Sequence, residues 1–406
     1  MASIEMSNHN PCSGCGGCAA VCPKEAIRLE LDDAGFYQAS VDGDLCINCG
    51  LCLKVCSRFS APEGGISLYD ADLYALQSAD STTVRRCSSG GIAHELAVQV
   101  IKQGGKAVGA VYDLRTNTVR HESVAEEENV ALLDGSKYLQ SRPDEAFREI
   151  LAYAKDAPCA VFGTPCQIAA LDAAAKLRGV RDNLLLAEIF CHGVPSYKIW
   201  EESLKKVKKK LSTDQFDGVQ FRYKKDDWHS YCLRIDGNGK THYGKRETDL
   251  FWQVFFENVL LGDACQVCSA RKEISHADLR LGDYWGARFQ HRSDGVSAVF
   301  ACTEKGREAV TKLLAEGKVV KLEASDAAEM LSAQNMDGYH HQQLHDEAMT
   351  VLRNDGAKKA VACYRSRQPA KQKLKRVLLQ ASAVLPDALR AKLRKANSSR
   401  QLRKSN

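Results

Sequence analysis

Eight cysteines between residues 12 and 56 carry the first chemistry. Cys12, Cys15, Cys18 and Cys22 are separated by two, two and three residues, and Cys46, Cys49, Cys52 and Cys56 repeat that spacing 34 positions later. Three thiolates spaced in this way wrap one face of a metal–sulfur cube, because the intervening backbone turns tightly. Gly14, Gly16, Gly17 and Gly50 permit such turns and bring backbone N–H groups near the sulfurs. The spacing is that of runs holding 4Fe-4S clusters, where the fourth cysteine of each run serves the other cluster. That pattern assigns Cys12, Cys15, Cys18 and Cys56 to one cluster, and Cys46, Cys49, Cys52 and Cys22 to a second. Zinc, the competing reading, prefers two CxxC pairs, and the doubled four-cysteine run disfavours it.

The elements that must position these thiols are short. Ala26 to Asp32 alternates in polarity, Asp33-Ala34-Gly35 turns, and Phe36 to Val41 returns, so a small hairpin separates the runs. The run matches the bacterial ferredoxin pattern, including Pro23 after Cys22. Ser57 replaces the second proline, which touches the turn after Cys56 and not the ligands. A two-cluster ferredoxin-like module over 1–62 is expected.

A second set of cysteines is scattered. After Ala61-Pro62 the composition becomes that of an α/β protein. A strand at Leu73–Leu76 is expected. Ser88-Ser89-Gly90-Gly91 then opens a helix-period stretch from Ile92, and Ala107–Tyr112 follows as a strand. Cys166 follows a strand at Ala160–Phe162, and Cys191 follows one at Leu184–Phe190. Cysteines beyond the carboxyl ends of buried strands lie where open α/β sheets bind ligands. Cys265 and Cys268, in CxxC spacing, supply two more thiolates for a third four-cysteine site. Taken singly, each is weak: a lone buried cysteine is usually a small core residue, and Cys265/Cys268 alone suit zinc or a redox dithiol. Cys87, Cys159, Cys232, Cys302 and Cys363 read as small core residues.

Several ordered motifs resemble the coenzyme F-420 hydrogenase/dehydrogenase beta-subunit family. They are Ser88–Gly91, Lys137–Ser141, Gly163–Gln167, Phe190–Gly193, Cys265/Cys268 and Leu281–Gly286, spread over roughly residues 70–345. A ferredoxin module in front is a common fusion there. The resemblance implies an FAD- and 4Fe-4S-dependent oxidoreductase, with a third 4Fe-4S cluster on Cys166, Cys191, Cys265 and Cys268. It maps the flavin-side segments onto Ser88, Ser89, Gly90, Gly91, Lys137, Tyr138, Gln140, Ser141, Gly163 and Thr164. Physically, Ser88–Gly91 before a helix is a natural pyrophosphate cradle, although the same residues also read as an ordinary N-cap turn. Lys137 reads as a partner for the reduced ring or as a solvated lysine. His192 reads as a donor to the site or as a structural histidine. No catalytic acid or base is assigned.

The expected fold is thus α+β or α/β: a ferredoxin-like module followed by a mixed-sheet flavin and iron–sulfur domain. Its N-terminal part would span 63–150 and its C-terminal part 151–345, ahead of a basic, partly helical or disordered tail over 346–406. The implied partners are a soluble redox carrier, either a ferredoxin or a redox-enzyme subunit, and a small-molecule hydride donor or acceptor such as coenzyme F-420. The alternative is a flavin-free polyferredoxin adaptor that only relays electrons.

Composition narrows the classes further. The chain has 406 residues, 17 of them cysteine, and a formal charge of +5. Residues 365–406 hold thirteen Lys/Arg and one acid, so the remainder carries −7. A global basic patch for nucleic acid is not supported. Met1 to Asn10 lacks an apolar signal core, and no run of 18 apolar residues occurs, so a cytoplasmic location is expected. Phe221 to Tyr243 mixes basic and aromatic residues, which suits either an anionic coenzyme or an exposed strand. In the tail, Leu374, Val377, Leu378, Ala381 and Leu385 recur at helical spacing, and Pro386 opens a second pattern with Leu389 and Leu393. Such a basic amphipathic helix suits an anionic membrane or an acidic partner, and a solvated tail equally.

Overall fold

A computed structural model describes residues 3–5, 11–225, 227–334, 336 and 342–382. Its centre is a nine-stranded mixed sheet. From edge to edge the strands are Val319–Leu322, Asp72–Ser78, Ser297–Ala301, Leu279–Asp283, Leu184–Ile189, Cys159–Gly163, Lys106–Asp113, Thr118–Val124 and Ser141–Arg142. The four from Leu279–Asp283 to Lys106–Asp113 are mutually parallel; the pairs outside them are antiparallel, except that Thr118–Val124 and the edge strand Ser141–Arg142 are parallel. The sheet draws strands from both 63–150 and 151–345, so these two stretches form one body.

Both faces of the parallel strands are buried, as their near-continuous apolar sequences require. Val161, Leu184 and Leu186 face helices Asp144–Tyr153 and Pro165–Arg178, where they meet Phe147, Ile150 and Leu171. Ala160, Leu185 and Ala187 face the opposite way, against Leu96 and Val100 of helix Ile92–Ile101 and Val310 of helix Glu304–Ala315. The period-two alternation of a strand produces this division.

The N-terminal module carries the expected hairpin, Ile27–Leu31 paired antiparallel with Tyr37–Val41. It is packed into the main body. Ala20, Val21 and Val55 share a core with Phe147, Ile150 and Leu171. Gly17 sits so close to helix Pro165–Arg178 that a Cβ there would lie 2.8 Å from the Ala170 Cβ. Arg148 and Arg178 donate to the Ala19 and Val21 carbonyls, capping the end of short helix Gly17–Val21.

A third, aromatic core was not legible in the sequence. Trp200, Phe251 and Trp252 pack with Phe221 between helices Tyr197–Leu211 and Leu250–Glu257 and a three-stranded sheet. In that sheet Cys232–Gly237 pairs antiparallel with Lys240–Lys245, and the turn residues Asn238 and Gly239 both have positive φ. The tail is helical over Gln342–Asp355, Ala357–Arg367 and Ala370–Ser382. Leu385 and the pattern opened by Pro386 lie outside the described residues. No described helix is long and apolar enough to cross a membrane.

Candidate iron–sulfur and cofactor site

The first cysteine run enters a short helix through Gly16, whose φ of 79° is left-handed and suits glycine. Cys18 is buried and Cys15 half-buried beside Cys12 and Cys56, and each of the pair interacts electrostatically with both. This is the grouping that the crossed ferredoxin pattern assigns. Burial pushes the Cys15 thiol up to about 11 and lifts Cys18 well above its ordinary value, with like-charged neighbours adding to both. For the second group, Cys49 interacts with Cys52, which packs in one small apolar cluster with Cys22. Cys49 is exposed.

The scattered cysteines also converge. Cys166 is the second residue of helix Pro165–Arg178, started by Pro165 and by a capping box between Thr164 and Gln167. Its sulfur lies 3.2 Å from the Thr164 hydroxyl. Cys166 interacts with Cys268 and Cys191, and Cys265 with Cys191 and Cys268. Burial raises Cys191 to about 11 and Cys265 to about 12, while Arg271 pulls both the other way. Cys166 also interacts with Cys15, so the first group and this one are neighbours.

This donor chemistry fits iron–sulfur clusters. Gly14, Ala26 and Gly193 direct backbone N–H groups at the sulfurs of Cys12, Cys22 and Cys191, at 3.4, 3.3 and 3.4 Å. Such bonds stabilise cluster-bound thiolates. Among the described residues, no three His, Cys, Asp or Glu side chains converge on a single-ion site. Thiolates around a four-iron cube stand farther apart than ligands around one ion.

A cleft of about 330 Å³ opens beside the carboxyl ends of the parallel strands. Ser88, Ser89, Gly91, Lys137, Tyr138, Ser141, Gly163 and Thr164 line it, and so does Cys191. Gly91 starts helix Ile92–Ile101 with φ 88°, leaving the first N–H groups of that helix at the cleft. Two residues expected there are placed elsewhere. Gly90 is wedged against the sheet, where a Cβ would meet the Leu76 carbonyl at 2.5 Å. Gln140 clasps the N-terminal module: its amide accepts from Tyr37 N–H and donates to the Ser13 and Tyr37 carbonyls.

Other expectations change in detail. Lys137 lines the cleft, but its ammonium donates to the carbonyls of Leu132, Leu133 and Asp134, and burial lowers it to about 8. Arg222 is buried against Asp283 at 2.9 Å and bonded to Tyr138, and Lys224 donates to three carbonyls. Arg222 and Lys224 of that basic and aromatic segment are thus engaged within the fold, while Lys225 and Lys240 are exposed. Cys87 is buried yet lines the cleft. His192 is held by the Asn258 side chain at 2.6 Å and packs on Phe255.

Three cleft residues were missed by sequence reasoning. His94 bonds to the buried Asp134 at 3.0 Å, and Asp134 also pairs with Arg86. A histidine within an apolar helix gave no signal, although the Asp134-Gly135-Ser136 turn did. His121 is 5% exposed, with its Nε2 directed at the Phe162 carbonyl at 3.1 Å. Burial lowers His121 to about 4, below the ordinary value of about 6.5. Below pH 6.5 the unfolded chain therefore takes up a proton that the folded chain refuses. Stability is expected to fall as pH drops from about 6.5 towards 4, by up to about 3 kcal/mol from this group. His121→Gln should remove that component of the difference between urea midpoints at pH 7 and pH 5. An unchanged difference would assign the pH dependence elsewhere.

The sheet, the cleft and the grouped thiols define an iron–sulfur protein of electron-transfer type. Residues 11–58 match the 4Fe-4S dicluster domain, which covers all eight clustered cysteines. Residues 157–327 match the C terminus of the coenzyme F420 hydrogenase/dehydrogenase beta subunit, an oxidoreductase family. An uncharacterized protein of Methanocaldococcus jannaschii is 26% identical over 267 residues, which is 57% of this chain and 70% of that protein. One of the F(420)H(2) dehydrogenase subunits of Methanosarcina mazei is 26% identical over 225 residues, 50% of this chain and 60% of that protein. An iron–sulfur component of the CoB–CoM heterodisulfide reductase from M. jannaschii is 39% identical over 62 residues, only 9% of its length. A chain from the F-420-reducing [NiFe] hydrogenase complex of Methanosarcina barkeri aligns over 72% of this chain and 95% of its own. There the identity is 17% and the TM-score 0.45.

Proposed function

We propose that the protein is an FAD- and iron–sulfur-dependent oxidoreductase that joins a soluble hydride donor or acceptor to a one-electron partner. The substrate class is coenzyme F-420 or another soluble molecule, and the partner is a ferredoxin or a redox-enzyme subunit. The observation that carries this reading is a continuous sequence of neighbours. Cys191 belongs to the cleft wall and to the scattered cysteine group, and Cys166 of that group adjoins Cys15 of the first run. Bound FAD would supply the interconversion between two-electron and one-electron chemistry.

The residues of the chain divide the remaining tasks. The N-terminus of helix Ile92–Ile101 and the Ser88 hydroxyl offer N–H and O–H donors to a pyrophosphate, while the Ser89 hydroxyl donates to the Val296 carbonyl at 2.8 Å and fixes the turn. Ser88 also accepts from Ser136 N–H at 2.8 Å, which fixes the two cleft loops together. Tyr138 is held by Arg222, itself fixed by Asp283, so this wall keeps its shape when a ligand enters. Cys166, Cys191, Cys265 and Cys268 would hold a third cluster, and Cys49, exposed in the second group, marks the far end of the series. The test is the composition of protein reconstituted without oxygen. About one FAD and about twelve irons per chain are expected, at four irons per cluster. A protein with all its iron but no flavin, before or after incubation with FAD, would overturn the enzyme and leave an electron-relay adaptor.

A further inference from the structure

The C-terminal helix Ala370–Ser382 has no part in the cleft or the cysteine groups. It is tied to the body on one side. Arg376 bonds to Gln368 at 2.6 Å and reaches Glu257 at 3.5 Å, and Lys373 donates to the Ser366 carbonyl at 2.6 Å. Arg365 also pairs with Glu257, at 2.9 Å, so the preceding helix is fastened to the same acid. Along the helix, Leu374, Val377 and Leu378 are 59, 56 and 60% exposed. Their i, i+3, i+4 spacing makes one apolar stripe. Soluble surfaces scatter single apolar residues, whereas three branched aliphatics in one stripe ask for a cover. Lys371, Lys373, Lys375 and Arg376 lie on the same helix, which contains no acid. The excess continues: residues 365–406 hold thirteen Lys/Arg against Asp387 alone.

We propose that this helix docks the protein on an anionic lipid surface. The stripe enters the boundary between headgroups and acyl chains, and the net positive charge of the segment is drawn to the anionic headgroups. Two features favour a bilayer over an acidic protein or a nucleic acid. Phosphate recognition needs no aliphatic stripe. The cations are also spread along the chain rather than set around a socket, as suits a uniformly charged plane. The rest of the sequence carries −7, so attraction falls on this segment alone. Attachment would be peripheral, because no described helix is long and apolar enough to span.

The experiment is co-sedimentation of the full-length, iron-loaded protein with vesicles of phosphatidylcholine alone, or of phosphatidylcholine with phosphatidylglycerol in equal parts. The partition coefficient should be at least about tenfold higher on the anionic vesicles and should fall as salt is raised. The triple variant Leu374→Gln/Val377→Gln/Leu378→Gln should lower it by about tenfold or more while iron content stays the same. If that variant misfolds, Lys371→Glu provides the second reading and should weaken binding to the anionic vesicles only. Equal binding to both vesicles would overturn the proposal. So would a correctly loaded triple variant that binds like the parent, or a protein that ignores vesicles yet is retained by polyglutamate.

Discussion

Replacing Cys166 with alanine is expected to lower the iron of the reconstituted protein from about twelve to about eight atoms per chain. The loss should be confined to one cluster, because Cys166 reaches Cys191 and Cys268 within its own group, with Cys15 as its neighbour in the first run. Helix Pro165–Arg178 should persist, since its start depends on Thr164, Pro165 and Gln167 and not on the thiol. Flavin content should therefore stay near one per chain. What changes is communication: substrate that reduces the parent protein should no longer bleach the two N-terminal clusters of the variant. Iron analysis and anaerobic absorbance spectra read both effects. A variant that keeps about twelve irons would remove the third site from the scheme.

The second large effect concerns the ion pair behind that site. Arg280 and Glu188 face each other across the parallel strands Leu279–Asp283 and Leu184–Ile189, in direct register, and both are at most 1% exposed. Burial lifts the Glu188 carboxyl above its ordinary range, against the pull of Arg280. Arg280 also donates to the carbonyls of Lys272, Ala270 and Ile274, so it staples the loop after Cys268 to the sheet. Arg280→Met leaves a buried carboxylate and three carbonyls without their donor. Breaking one side of a buried pair costs about 3–5 kcal/mol, which in a body of this size corresponds to a fall in Tm of roughly 10 °C. The double change Glu188→Leu/Arg280→Met should recover part of that loss, because the unpaired charge is gone. Differential scanning calorimetry of the iron-loaded proteins decides. A single variant as stable as the parent would show that the pair adds nothing.

The ferredoxin module was legible because its information is local. Cysteine spacing, glycine turns and a hairpin lie within 60 residues, and each can be read without knowing what packs on them. The parallel strands were legible for a related reason: buried on both faces, they read as unbroken apolar runs, and Gly163 and Ile189 end them about where expected. What stayed hidden depends on contacts far apart in the chain. Gln140 sits between two cleft residues in sequence, yet it turns to Tyr37, 103 residues away. Arg222 pairs with Asp283 across 61 residues, and Trp200, Phe251 and Trp252 form a core from helices whose mixed composition gave no clear period. The dyad of His94 and Asp134 joins a helix to a turn 40 residues on.

The packing of Gly17 against Ala170, with Ala20, Val21 and Val55 inside the main core, ties the fate of the whole chain to its iron. The short helix Gly17–Val21 lies between Cys15 and Cys22, so the thiolates that bind metal also hold one wall of that core in place. Metal-binding energy in such a site becomes folding energy. Oxygen that strips the first run would then do more than interrupt electron flow. It would loosen Phe147 and Ile150, soften the sheet beside the cleft, and convert a redox injury into a folding defect. In a cell, the damaged protein would be recognised and cleared as an unfolding chain rather than persist as an inert one.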